Sequence, residues 1–222
     1  MFRRKDSLLP VMPMPQVVFF PETFVDIHVV EEGHRQMVSS VRTHNWPIGI
    51  FLARESEGET LLARCESVGT FGRIVRVEQL RTGISKLTLR GKFRGRLHRF
   101  DQTEPFPLAR VEMLTDHLHP DSPEALERAL KELISLVQSF KPAAKREQVE
   151  LPPLESWNRL FSTLLNSVAM LLPVMVEKKQ QWLVQDDLLV RYKMMRDEMQ
   201  RLLKFNRLLE LIPPPADDPH LN

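Results

Sequence analysis

The chain has 222 residues, of which 42% are hydrophobic and 27% charged, with a formal net charge of +2. That composition is ordinary for a globular protein with a real core, in one domain or two small ones, and the mildly basic balance implies no polyanionic partner. The lone cysteine, Cys65, excludes an internal disulfide and a cysteine-rich zinc site and fits a reducing compartment.

The start, MFRRKDSLLPVMPMP, has the cations of a signal peptide, but prolines break its apolar run. No stretch approaches the ~20 apolar residues of a membrane span. FSTLLNSVAMLLPVMV contains Asn166 and Pro173 and reads as a buried helix. The expected location is the cytoplasm.

Up to about Leu114 the pattern is β-like. Gln16 to Val30 alternates loosely, yet Pro10, Pro13, Pro15 and Pro21 punctuate the run LLPVMPMPQVVFFPETFVDIHVV. Proline cannot donate a ladder hydrogen bond, so a central strand should not tolerate them. Glu32 to Thr43 predicts one short helix with Met37, Val38 and Val41 on one side. Pro47 to Ala53 predicts a buried strand. Leu61–Ala63, Gly69–Gln79, Ser85–Arg96 and Leu108–Leu114 predict further strands. Short strands with glycine-marked turns point to a small barrel or sandwich.

From Asp121 the period becomes helical. Ser122-Pro123 is a start signal, and Leu126, Leu130, Leu133, Val137 and Phe140 form a stripe. Residues 141–153 form a polar, proline-bounded loop. A second helix carries Leu160, Phe161, Leu164, Leu165, Val168 and Leu171, and a short one follows near Glu177 to Val184. Asp186 or Asp187 then caps a long last helix. There Leu188, Tyr192, Met195, Met199, Leu202, Asn206 and Leu209 make a heptad-like seam.

Three stretches together resemble a known family. Leu9, Pro10, Pro13, Val17, Val18, Phe20 and Pro21 match the opening of the N-terminal domain of Lon ATP-dependent proteases. Glu22 stands where that family usually has glycine. Val68, Gly69, Thr70, Arg73, Ile74, Gly91, Arg94 and Arg96 match its V-G-T-x-x-R-I and G-x-x-R-x-R segments. Leu172, Pro173, Glu177, Lys179, Gln180, Leu183, Asp187 and Arg191 match a third. The resemblance implies a bent, edge-like first strand, a PUA-like pseudo-barrel followed by a helical bundle, and recognition of protein or peptide segments. The sequence contains no GxxxxGK[ST] phosphate loop, so a stand-alone N-terminal domain without ATPase or protease modules is expected.

No G-x-S-x-G elbow is present, and Ser85-Lys86 would point to opposite faces of a strand, so no catalytic residues are assigned. His117 and His119 have chelate-like spacing without further ligands, so a solvated connector is preferred and no metal or cofactor is expected. Lys86 to Arg96 puts cations at nearly every even position, one face of a strand. That face serves solvent exposure or an anionic partner. The candidate partner-binding residues are Phe19, Phe20, Trp46, Arg90, Lys92, Arg94 and Arg96.

The resulting expectation is an α+β chain. A β-rich PUA-like pseudo-barrel with one helix spans 1–118, and a helical bundle ending in a long helix spans 119–222. The expected role is non-catalytic binding of protein or peptide segments, unfolded or degradation substrates included. The alternatives are an RNA-binding module using the basic strand face and an adaptor that homodimerises through the last helix. No membrane partner is expected.

Overall fold

The computed structural model describes residues 7–54, 58–80, 84–118, 122–141 and 150–210. The β-rich half contains β1 (Ser7–Met14), β2 (Phe24–Val29), α1 (Glu32–His44), β3 (Ile48–Leu52), α2 (Leu61–Arg64), β4 (Val68–Gln79), β5 (Ser85–Gln102) and β6 (Leu108–Leu114). The helical half contains α3 (Pro123–Ser139), α4 (Trp157–Leu171), α5 (Val176–Val184) and α6 (Leu188–Glu210). The α+β architecture of a β-rich sheet followed by helices therefore holds.

The sheet order is β2-β5-β4-β3-β1-β6, and β5 also pairs with β6. This pairing closes a pseudo-barrel and leaves β2 as an appended edge. The length of β5 makes closure possible. Its first part pairs with β2 and β4, and residues from Arg94 onward also pair with β6.

The proline-rich β1 is not an edge strand. Ser7–Pro10 pair antiparallel with β6, and Val11–Met14 pair parallel with β3. Each half is laddered on one side, so Pro10 and Pro13 can lack an N–H without breaking a two-sided ladder. Leu61–Ala63, expected to be extended, form a turn of helix instead. The Thr60 hydroxyl accepts the Ala63 N–H at 3.3 Å, and this local cap overrides the apolar run. Among the described residues the β-rich half thus holds a second helix beside the one expected.

Further on, Ser122 caps α3 through its hydroxyl, which accepts the Ala125 N–H. Asp187, not Asp186, caps α6, its carboxylate accepting the Leu189 and Val190 N–H groups. Leu171 is 83% exposed, and Leu172 is buried in its place. In the α6 seam Leu188, Tyr192, Met195 and Met199 are buried in the chain's own core, Leu202 is partly buried, and Asn206 is exposed. His119 and residues 142–149 lie outside the described residues.

Among the described residues the apolar interior forms three clusters. Met12, Phe19, Ile27, Ile48, Ile50 and Leu89 pack under Met37 and Val41 of α1. Phe51 and Phe71 meet edge-on at 5.7 Å among Val11, Leu97 and Val111. The third joins Val18, Phe20, Leu52, Val68 and Leu114 to the helices around Trp182 and Leu183. Burying such side chains stabilises by roughly 1.5–3 kcal/mol each, so this shared cluster welds the two halves together.

Polar contacts fix the same junction. Arg94 reaches Asp116 at 2.6 Å, Asp186 at 2.9 Å and the Leu183 carbonyl at 2.8 Å. Arg191, also buried, donates to Asp116 at 2.9 Å and to Asn166 at 3.2 Å. Burial pulls the Arg191 pKa downward, and Asp116 opposes that shift. The Gln180 side-chain amide donates to the Val68 carbonyl at 2.9 Å. His117 is not a simple solvated connector: its backbone bridges Asp187 and ties the end of the β-rich half to the start of α6.

Candidate functional site: a cationic cleft beside strand β4

The last turn of α1 builds one wall of the site. Asn45 adopts φ 53° and ψ 39°, a left-handed cap that Asn tolerates better than most residues. The N–H groups of Asn45 and Trp46 both return to the Val41 carbonyl. This cap swings Trp46 out of the helix, where its ring stacks on His44 at 4.6 Å. Trp46 remains partly buried against the cluster under α1.

Opposite stands β4, and the space between is a cleft of about 710 Å³. Its lining combines Val41, Asn45 and Trp46 with Ile74, Val75 and Val77, and it gathers the cations Arg42, Arg73, Arg76, Arg90 and Lys92. Among the described residues no acidic side chain lines it. Arg73 donates to the Asn45 side chain at 2.9 Å, Arg76 pairs with Glu78 at 2.6 Å, and Arg90 pairs with Glu22 at 2.5 Å. Arg42 and Lys92 have no ion-pair partner among the described residues. A neighbouring cavity of about 510 Å³ shares Val75 and Arg76 and adds Phe24, Asp26 and Lys86. There the Lys86 ammonium, 2.8 Å from Asp26, holds that carboxyl below its ordinary range and is itself raised. Phe24 and Val75 are 57% and 54% exposed.

Two strand irregularities shape this surface. Gly72 pairs with Gly91 and Phe71 with Phe93, so Lys92 is an extra residue on β5. Ile74 pairs with Leu89 and Arg76 with Thr88, so Val75 is an extra residue on β4. Bulges increase local twist and re-aim side chains, and both bulged residues line the cleft.

The structure divides the sequence-predicted site residues. Trp46, Arg90 and Lys92 come together in the cleft. Phe19 and Phe20 are 1% and 0% exposed, core side chains that present no surface to a partner. Arg94 is 2% exposed because the bundle covers the cationic face at that point. Arg96 lies beyond it, half exposed, 3.9 Å from Glu112 and 4.0 Å from Asp186. The ladder is therefore not one continuous exposed face. Sequence reasoning missed Arg42, Asn45, Arg73, Val75, Arg76 and Val77. One signal could have found the four on β4: the short run IGIFL neighbours the much longer VGTFGRIVRVEQ, and the longer strand must overhang.

A sequence profile of the ATP-dependent protease La (LON) substrate-binding domain matches residues 8–201. The chain belongs to this family. It is 29% identical over 169 residues to a Lon protease of Cytophaga hutchinsonii, covering 73% of this chain and 20% of that one. It is 26% identical over 202 residues to a Lon protease of Anaeromyxobacter dehalogenans, covering 88% of this chain and 23% of that one. The chain thus spans about a fifth of the length of these relatives. Among solved structures it is similar to a Lon N-terminal domain protein from Xanthomonas campestris, with TM-score 0.59, 20% identity, and 93% and 99% of the two chains covered. The N-terminal domain of a Mycobacterium avium complex Lon protease gives TM-score 0.65 at 18% identity, with 87% and 98% covered. These structural likenesses show the fold.

The family-like residues of the third stretch hold the molecule together. Lys179 donates to the Met170 carbonyl at 2.7 Å, Gln180 and Arg191 fasten bundle to barrel, and Asp187 caps α6. Among the described residues no group of three or more His, Cys, Asp or Glu side chains could hold a metal, and no helix is long and apolar enough to cross a membrane.

Proposed function

We propose that this chain is a non-catalytic protein-binding module that holds accessible polypeptide segments, unfolded ones included, in the cleft between α1 and β4. The family is a substrate-binding domain, which supports a polypeptide ligand. The observation that carries the reading is the cleft's lining: an aromatic and aliphatic wall, Trp46, Ile74, Val75 and Val77, beside Arg42 and Lys92, which have no ion-pair partner among the described residues, and Arg73, which is bonded to a neutral amide. Apolar area supplies affinity and the cations supply orientation and encounter rate. A cytoplasmic setting fits the single, partly buried thiol.

RNA binding ranks below this reading. Single-stranded recognition uses several aromatic platforms, yet Tyr192 is buried and Phe93 stacks on Phe71 at 5.1 Å, leaving Trp46 in the cleft and Phe24 in the neighbouring cavity. Homodimerisation through α6 also ranks below it, because the bundle already consumes the first half of the seam.

The test is a fluorescence-anisotropy titration with labelled, reduced and carboxymethylated α-lactalbumin, and with a labelled uridine-rich RNA, at low and physiological salt. Trp46→Ala and the Arg42→Glu/Lys92→Glu pair should each weaken polypeptide binding while circular dichroism shows an intact fold. Polypeptide binding should survive moderate salt. RNA affinity should fall by ~0.7 in the log per phosphate neutralised for each log unit of salt. Polypeptide binding unchanged in all variants, or RNA bound more tightly than polypeptide at physiological salt, would overturn the reading.

A further inference from the structure

The cleft runs along the edge of β4. Strand alternation sends successive side chains to opposite faces, yet Arg73, Ile74, Val75, Arg76 and Val77 all line the cavity. A cavity touching consecutive residues reaches the strand backbone as well as the face that β4 shares with Arg90 and Lys92 of β5. The pairing agrees. β3 pairs with β4 only at Thr70, Phe71 and Gly72, whereas β4 continues to Gln79. From Arg73 onward β4 is laddered to β5 on one side, and among the described residues no backbone bond meets its other side. That leaves an overhanging edge of about 23 Å at ~3.3 Å per residue, facing the last turn of α1 across open space.

We propose that the cleft takes its polypeptide as an added β-strand on this edge of β4, and that the preferred segment is extended and alternates acidic with apolar residues. This deepens the protein-binding reading above and rests on it. Main-chain hydrogen bonds to an exposed edge give sequence-tolerant affinity, and side-chain surroundings give preference. The surroundings here are cationic and apolar. Arg42 and Lys92 lack ion-pair partners among the described residues, and Arg73 is bonded to a neutral amide. Trp46, Ile74, Val75 and Val77 supply the apolar surface. The same features disfavour a second copy as occupant. Edge-to-edge pairing of two β4 strands would bring the Arg73 and Arg76 side chains of both copies together, like charge beside like charge.

The test uses the full chain and a labelled peptide about nine residues long, alternating glutamate with valine and so slightly longer than the overhang. Two further versions carry backbone N-methyl groups, one at odd and one at even positions. An added strand turns alternate N–H groups toward β4, so one version should bind about tenfold or more weakly and the other like the parent, since each lost hydrogen bond costs part of the affinity. A lysine-for-glutamate version should not bind. Amide hydrogen exchange should slow in residues 73–79 when the parent peptide is added. Equal binding of both N-methylated versions would overturn strand addition while leaving the protein-binding reading in place. Binding of α-lactalbumin but not of the acidic peptide, or equal binding of the lysine version, would overturn the acidic preference. Failure of the parent peptide and of α-lactalbumin together would sink the underlying reading as well.

Discussion

Arg94→Met removes a charge that the sequence assigned to partner contact and the structure places inside the molecule. The Arg94 side chain is 1% exposed and makes ion pairs with Asp116 and Asp186 and a hydrogen bond to the Leu183 carbonyl. Methionine fills part of the volume, but the Leu183 carbonyl loses its donor and Asp186 its closest cation. Breaking a buried pair by removing one partner costs roughly 3–5 kcal/mol. For a chain of this length that corresponds to a fall in Tm of about 6–20 °C. Arg96→Met is the matched control. Arg96 is 42% exposed, with its carboxylates at 3.9 and 4.0 Å, and an exposed pair contributes ~0–1 kcal/mol. Differential scanning calorimetry of both variants reads the difference directly. Polypeptide binding measured well below either Tm should match wild type, because Arg94 does not line the β4 cleft. A Tm for Arg94→Met within about 2 °C of wild type, together with lost polypeptide binding, would refute the reasoning and restore Arg94 to the surface ladder.

Other outcomes follow from single residues. Burial, and then the hydrogen bond to Glu132, push the pKa of the chain's one tyrosine, Tyr192, far above its ordinary value. The unfolded chain loses that proton first, so stability falls as pH rises above about 10. Absorbance at 295 nm should stay flat until the protein unfolds, and a reversible midpoint near 10 in the folded protein would contradict this. Asn45→Ala should cost about 1–2 kcal/mol by forcing alanine into a left-handed cap and removing the Arg73 contact, whereas Asn45→Gly should cost less; urea denaturation compares the two, and equal costs would contradict the cap argument. Gly91→Ala should cost at least about 1–3 kcal/mol, since its new methyl would lie 2.3 Å from the Phe20 carbonyl oxygen, which is backbone and cannot swing away. Purified protein at saturating ATP should show no ATP hydrolysis or peptide cleavage, and turnover abolished by a point substitution in this chain would contradict a non-catalytic role.

Elements with a clear period or cap were legible in the sequence. Ser122-Pro123 marks the start of α3, Leu108–Leu114 is β6, and the Met37/Val41 face of α1 is buried. Leu61–Ala63 failed because a single hydroxyl cap at Thr60 decides between helix and strand there. Phe19 and Phe20 failed because 17–20 lie outside any helix or strand, where alternation gives no face. The cationic ladder failed for two long-range reasons. A bulged residue at Lys92 breaks its register, and α5 with Asp116 covers Arg94. Glu22 illustrates what resemblance can show. It keeps the left-handed φ of 61° that favours glycine, and its carboxylate holds Arg90. The cleft depends on how far β4 overhangs β3, which is a property of pairing rather than of either strand alone.

The most direct test of the central claim is amide hydrogen exchange read by mass spectrometry, with and without saturating reduced and carboxymethylated α-lactalbumin. The account predicts slowed exchange in peptides covering 41–46 and 73–79, and unchanged exchange in α4 and in the end of α6. Leu171, Met175, Phe205 and Leu208 form exposed apolar surface elsewhere on the molecule. Protection confined to those regions, with residues 73–79 unaffected, would contradict it.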